Sequence, residues 1–395
     1  MKTAGIICEC NPFHSGHKYL IECAKASGAD AVVCVMSGYF TQRGEAALLD
    51  PYSRAVSVMQ GGADLVLELP YPYSASGAEF FADAGVNILS RLGVDELWFG
   101  SECGDLDRLT EAADAVMRED FSKRYTESGA GSVGTAKAFF DLLQSVCGGE
   151  AAFLSNDILG ISYLCAIKRQ NATMRPVTVT RRGSAYLDEA LHEGMHPSAT
   201  AIRRAILSDR MQDACDFLLP ETAEALRLAE QDGLAPADLQ NAERAVLAHL
   251  RLCAAEDLQT VAELEGGLGN RLFDAARQAT TLDELISLAS TKKYPNARLR
   301  RGVLFAMTGV KKEDLRAEPA YVRVLAANAA GRAFMAGNRK EPSLPLVTRQ
   351  AEIPDGCKAD RQELLHTRAV SLYTLCLKQS KDMTALMRKN PTILK

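Results

Sequence analysis

At 395 residues the chain is longer than one hydrophobic core ordinarily serves, so two domains are the first expectation. A hydrophobic share of 47% beside 24% charged residues is that of a globular protein in water, and a formal net charge of -5 excludes a uniform nucleic-acid-coating surface while leaving room for a local basic face. Eleven scattered cysteines with no Cys-x-x-Cys exclude a secreted disulfide framework and a zinc ribbon.

An apolar run from Thr3 to Cys8 reads as a strand, stopped at Asn11-Pro12, and a helix follows over residues 15 to 27. Cys8 and Cys10, alternating with Glu9, read as core positions on one face. Ala31 to Met36 is a second buried strand, Ser37 to Asp50 a loop, and Pro51 opens a helix that ends at Gly61. Asp64 to Leu69 is a strand stopped by Pro70. A helix from Ala78 to Leu92, closed by Gly93, leads into the strand Asp95 to Phe99. Residues 104 to 150 read as a helical insertion with a glycine-rich bend at Gly129 to Ser132. Ser155-Asn156-Asp157 caps a helix to about Arg169, Pro176 to Thr180 is a further strand, and a capped helix starts near Ser198. Regular alternation of strand and helix predicts an α/β fold with a Rossmann-like, doubly wound parallel sheet that binds ligands at the carboxyl ends of its strands. After about Asp209 the texture turns to alanine- and leucine-rich helices, with a strand signal returning at Tyr321 to Ala327. The expected domains are therefore 1–209 and a mainly α-helical 210–395. No apolar stretch reaches bilayer length and no signal peptide is legible, so the expected compartment is the cytoplasm, with nothing pointing to an obligate protein partner.

His14 and His17 lie three apart in the first turn of a helix, after a strand and a break. They share one face beside unpaired N–H groups and the positive end of the helix dipole, a setting suited to phosphate. Each Nε2 could hold a phosphate oxygen and offset charge as it develops at phosphorus. With no nucleophile beside them, direct displacement is favoured over a covalent intermediate. Ser198, Thr200 and Arg203 form a second group, in which capping hydroxyls and an arginine one turn later suit the outer phosphates of a triphosphate. His192-Glu193-Gly194-Met195-His196 matches a zinc pattern, but Gly194 and Pro197 break the helix it requires, so no metal ligands are assigned. The loops Met36 to Glu45 and Thr180-Arg181-Arg182-Gly183 follow strands and reach the ligand edge, as does Gly100-Ser101-Glu102; surface turns would look the same. Lys292, Lys293, Arg298, Arg300 and Arg301 place five positive charges around Tyr294, a pattern that suits a polyanion such as RNA, and Lys378, Lys381, Arg388, Lys389 and Lys395 follow.

Taken in order, Glu9-Cys10-Asn11-Pro12-Phe13-His14-Ser15-Gly16-His17, Met36-Ser37-Gly38 through Gln42-Arg43-Gly44-Glu45, Asp64 to Pro70, Phe99-Gly100-Ser101-Glu102, Ser155 to Gly160, Ser198 to Arg203 and Tyr294-Pro295-Asn296-Ala297-Arg298 resemble the HIGH-motif nucleotidyltransferases, and within them the bacterial tRNA(Met) cytidine acetate ligases. Ser15, Leu20 and Ala46 stand where that family often has asparagine, histidine and proline. The resemblance implies that ATP activates acetate as acetyl-adenylate with loss of pyrophosphate. The wobble cytidine of elongator tRNA(Met) is then acetylated on its exocyclic amine. It implies an ATP site formed by Ile7-Cys8-Glu9-Cys10-Asn11-Pro12-Phe13-His14-Ser15-Gly16-His17-Lys18-Tyr19-Leu20, Gly100, Asn156 and Arg181, with Arg182 adjacent. His14, His17 and Arg203 would act on the reacting phosphates, Ser198 and Thr200 would hold pyrophosphate with Arg203, magnesium would bridge the phosphates, and the basic C-terminal part would grip tRNA. The alternatives are a family member that adenylylates a small phosphorylated metabolite, disfavoured by the basic segment, and a non-catalytic RNA-binding protein, disfavoured by the intact histidine pair.

Overall fold

The structure, a computed structural model, describes residues 1–127, 135–147, 153–181, 199–208, 210–291, 294–338, 344–358 and 361–394. Strands β1 (Thr3–Cys8), β2 (Ala31–Ser37), β3 (Leu65–Leu69) and β4 (Glu96–Ser101) alternate with helices α1 (Ser15–Ala26), α2 (Pro51–Gln60) and α3 (Ala78–Arg91). Pro51 occupies the first turn of α2, and Asp50 caps it by accepting from the Tyr52 and Ser53 N–H groups at 3.1 and 3.3 Å. The insertion is helical as expected, with α4 (Leu106–Met117), α5 (Glu119–Glu127) and α6 (Thr135–Cys147); the bend at Gly129 to Ser132 lies outside the described residues. Then come α7 (Ser155–Arg169), β5 (Arg175–Thr180) and α8 (Ala199–Leu207).

Five strands pair in parallel in the order β5-β4-β1-β2-β3. Their side chains alternate between two faces. Ile7, Val33, Val35, Leu65 and Leu67 pack under α3 and α7, while Ile6, Val32, Cys34, Met36 and Val66 pack with residues of α1 and α2. Both faces of β1 to β4 are buried, which is why these strands read as apolar runs, while the edge strand β5 is half-buried. Chain order reverses at β1, flanked by β2 and β4, so the crevice at the β1 and β4 carboxyl ends is a topological switch point.

The strand expected near Tyr321 forms as β6 (Val322–Ala327), and it joins the same sheet antiparallel to β3. The short strands β7 (Leu346–Val347) and β8 (Thr392–Ile393) pair with β6. The sheet is thus mixed and mostly parallel, drawing on residues either side of position 210. Two-residue strands carry no periodicity, and an antiparallel partner more than 250 residues away leaves no local mark, so neither was expected. Between and around these strands the chain is helical, including α9 (Asn296–Thr308) and α10 (Arg361–Cys376). Tyr39, Phe40 and Tyr71, from loops at the sheet's carboxyl edge, insert into the helical core with Val246, Phe305 and Tyr373. Phe40 meets Tyr71 and Tyr373 edge-on at 6.1 Å in each case, and the Tyr373 hydroxyl donates to the Ala47 carbonyl at 2.9 Å. Tyr39 and Phe40 of the Met36 to Glu45 stretch therefore serve packing. No helix among the described residues is long and apolar enough to cross a membrane.

Candidate active site

A cavity of about 450 Å³ opens at the switch point, lined by the end of β1, Ser15 to His17 and Tyr19 to Ile21 of α1, Gly100 at the end of β4, the start of α7, Thr180 and Arg181 at the end of β5, and Thr200 and Arg203 on α8. His14 is the N-cap of α1. Its Nδ1 accepts the Gly16 N–H at 3.0 Å, and the His17 Nδ1 in turn accepts the His14 N–H at 3.3 Å. This reciprocal cap makes each Nδ1 an acceptor, so the neutral rings carry their proton on Nε2 and both present an Nε2–H donor. The rings lie 3.9 Å apart, and Phe13 stacks on His17 at 5.7 Å. Burial, reinforced by the charges of His14 and Arg181, holds His17 well below the usual imidazole range. Near neutral pH it is an uncharged donor.

At the start of α7, the Glu102 carboxylate accepts the Asn156 and Asp157 N–H groups at 3.1 and 3.0 Å together with the Asn156 side-chain amide. Asp157 answers by accepting the Glu102 and Cys103 N–H groups at 2.9 and 3.1 Å. The loop after β4 and the mouth of α7 are thereby locked together. Asn156 Oδ1 accepts from Arg181 at 3.1 Å, which brings that guanidinium to the rim. On α8 Arg203, 6% exposed, donates to the Asn11 carbonyl at 2.9 Å and to Thr200 Oγ1 at 3.4 Å. Glu9 lies in the lining and accepts the Gln42 N–H at 2.8 Å; burial raises its pKa, with Arg203 opposing.

Of the residues proposed from sequence for ATP, Ile7, Cys8, Glu9, Cys10, Phe13, His14, Ser15, Gly16, His17, Tyr19, Leu20, Gly100, Asn156, Arg181 and Thr200 line this cavity, and so does Arg203. Asn11, Pro12 and Lys18 are not in the lining. Asn11 is buried, with its Oδ1 accepting the Leu48 N–H at 2.9 Å, and supports the loop from behind. Arg182 and Ser198 lie outside the described residues, as do Lys292, Lys293 and the His192 to His196 pattern. Sequence reasoning missed the apolar lining from Phe81, Ile158, Leu159 and Tyr163, and left Gln42 and Arg43 undecided. Leu159 and Tyr163 stand one turn apart on α7, a spacing that could have flagged them.

The three described arginines of the basic segment are held in internal pairs. Arg298 lies 3.5 Å from Glu263 and 3.4 Å from Glu265, Arg301 lies 2.9 Å from Glu263, and Arg300 lies 3.1 Å from Glu45. Their side chains are 20%, 15% and 38% exposed in that order, so Arg300 is the most accessible. Counting charges along the sequence could not include acidic partners from other loops. For a divalent cation, Glu9 is the single carboxylate among the lining residues and already accepts from Gln42, and no group of three potential ligands occurs among the described residues. The described residues therefore provide no carboxylate cage, and the described arginines in the lining are Arg43, Arg181 and Arg203.

The HIGH Nucleotidyl Transferase family model matches residues 1–387. The tRNA(Met) cytidine acetate ligase of Caldanaerobacter subterraneus is 34% identical over 388 residues, covering 96% of each chain, and that of Syntrophotalea carbinolica is 35% identical over 367 residues, covering 89% of this chain and 86% of the other. The chain belongs to the tRNA(Met) cytidine acetate ligase family of HIGH nucleotidyltransferases. Crystal structures of the family member TmcAL from Thermotoga maritima match it over the full length of both chains at 27% identity, with TM-scores of 0.91 for the apo form and 0.88 for the form bound with alpha-thio ATP. The second of these structures holds an ATP analogue.

Proposed function

We propose that this chain binds ATP in the switch-point cavity, activates acetate there as acetyl-adenylate, and transfers the acetyl group to the exocyclic amine of the wobble cytidine of elongator tRNA(Met) in the cytoplasm. The observation that carries the chemistry is the reciprocal histidine cap. It presents two Nε2–H donors to the cavity that Arg181, Thr200 and Arg203 also line. An acetate oxygen attacks the α-phosphorus in line, and the bond to the β-phosphate oxygen breaks. The Nε2–H groups of His14 and His17 stabilise charge on the phosphate oxygens, while Thr200 and Arg203 hold the departing pyrophosphate. The cytidine amine then attacks the acetyl carbonyl carbon, AMP leaves, and one proton is lost from the nitrogen. Magnesium would accompany ATP as a counter-ion of its phosphates, with Glu9 as the single carboxylate among the described lining residues.

The residues before 210 are assigned the activation chemistry, and the helical part the grip on tRNA, with Arg300 as the most accessible described arginine of the 292–301 segment. The internal pairing of Arg298 and Arg301 favours a rival in which a small phosphorylated metabolite, without RNA, receives the nucleotide. One experiment separates them. Purified protein should exchange labelled pyrophosphate into ATP when acetate is added, and elongator tRNA(Met) incubated with ATP and acetate should gain the mass of one acetyl group on its wobble cytidine. Exchange with another acid but not with acetate removes the substrate assignment, and exchange without acetylated tRNA removes the RNA assignment.

A further inference from the structure

The loop Gln42-Arg43-Gly44-Glu45 is wedged between the ATP cavity and α9. At Gln42 the N–H is held by Glu9 on the cavity side, and the carbonyl accepts from Arg301 of α9 at 3.2 Å. Gly44, at φ 71°, rests so close to α9 that a Cβ there would lie 2.5 Å from the Arg301 nitrogen. Within this wedge Glu45 is shared. Its Oε2 lies 3.5 Å from Arg203 Nε in the cavity wall, and its Oε1 lies 3.1 Å from Arg300 Nη1 on α9. One carboxylate thus faces two guanidiniums, one proposed for pyrophosphate and one proposed for RNA.

We infer that Glu45 is a positioning residue that makes triphosphate binding and RNA binding antagonistic, so that activation of the acid precedes firm capture of the tRNA. A triphosphate offers Arg203 several oxygens and competes with Glu45 for its guanidinium. Glu45, released from Arg203, pairs fully with Arg300, and an RNA phosphate must displace it there. When pyrophosphate leaves, Glu45 is again shared with Arg203, and its weaker hold on Arg300 is more readily displaced by an RNA phosphate. By linkage the reverse holds to the same degree: RNA on Arg300 sends Glu45 to Arg203, where it competes with pyrophosphate and hastens its loss. The inference rests on the proposed function, because it takes Arg203 and Arg300 in the roles assigned there.

The test is the affinity of the full chain for an unmodified elongator tRNA(Met) transcript, with and without α,β-methylene ATP, at fixed salt. In the wild type the analogue should raise the tRNA Kd about fivefold, in keeping with a partly exposed carboxylate and common coupling strengths. Glu45→Gln, nearly isosteric and uncharged, should bind tRNA with the same Kd in both conditions. Arg300→Gln, at the surface end of the pair, should bind more weakly and also lose the dependence, and it decides between the outcomes if Glu45→Gln does not fold. A role in folding alone would shift both Kd values together and leave their ratio. A wild-type Kd indifferent to the analogue, or a fivefold shift retained in either variant, overturns the inference. Absence of acetate-dependent pyrophosphate exchange in the wild type is a different result and counts against the proposed function.

Discussion

Arg54 donates to the Glu9 carbonyl oxygen across 2.6 Å from a position where only 2% of the residue is exposed. Its Nε donates to the Leu49 carbonyl at 3.0 Å, and its Nη2 to the carbonyls of Ser37 at 2.8 Å and Gly38. One guanidinium therefore ties the loop after β1 to the loop after β2, and both loops contribute to the cavity. Arg54→Met would leave these carbonyls unpaired in the interior. It should cost about 3 kcal/mol in urea unfolding, and Arg54→Lys, lacking the planar fork, should recover less than half of that. The urea midpoint of each variant measures this, and equal midpoints for wild type and Arg54→Met would contradict the clamp.

His17→Ala should lower acetate-dependent pyrophosphate exchange by about 10²- to 10³-fold, the usual cost of one donor aimed at developing charge. His17 is held well below the usual imidazole range, chiefly by burial. The working form is then neutral, and protonation sets in only below the ordinary imidazole range. Exchange should stay level as pH falls from 8 through 6.5. A rise through that interval, tracking imidazolium, would contradict the neutral-donor role.

Glu102 touches no substrate in this scheme, yet it positions Asn156 and through it Arg181. Glu102→Ala frees the mouth of α7 and should raise the KM for ATP about tenfold, with a smaller effect on kcat, as expected when a binding geometry is loosened. Steady-state kinetics of the exchange reaction would show it. A loss confined to kcat would place Glu102 in the chemistry.

Glu68 on β3 is 2% exposed, 4.0 Å from Arg323 and 3.8 Å from His366. Burial raises its pKa from 4.5 to about 7, against the opposing charge of Arg323. A carboxyl whose folded pKa is raised binds its proton more tightly in the folded state. Stability therefore falls as pH climbs from about 4.5 to about 7 and levels off above. The full span is on the order of 3 kcal/mol. Glu68→Gln removes the ionisation, so its stability relative to wild type should improve from pH 5 to pH 8 in parallel urea titrations. A constant difference between the two proteins would contradict this account.

The order β1 to β4 was legible because strands buried on both faces become apolar runs, each punctuated by Pro, Gly or a capping side chain such as Asp50, and β5, a half-buried edge strand, was legible from its alternating Val and Thr. His14 and His17 were legible because a helix start after a broken strand is a local pattern. The long-range relationships were not. Arg54 reads like any surface arginine of a helix until the carbonyls around it are known, and Glu45 gives no sign of meeting Arg300, 255 residues later. Charge counting failed in the same way at Arg298 and Arg301, whose neutralising partner Glu263 sits in a separate turn.

The antiparallel pairing of β3 with β6 has a consequence for how the molecule is made. Until residues 322–327 have been synthesised, β3 exposes the backbone groups that later register Leu65 against Ala327. A growing chain must therefore keep an open sheet edge from aggregating while roughly two thirds of its length is added. The first 209 residues expressed by themselves should collect in the insoluble fraction, and adding the remainder as a second polypeptide during refolding should draw them back into solution.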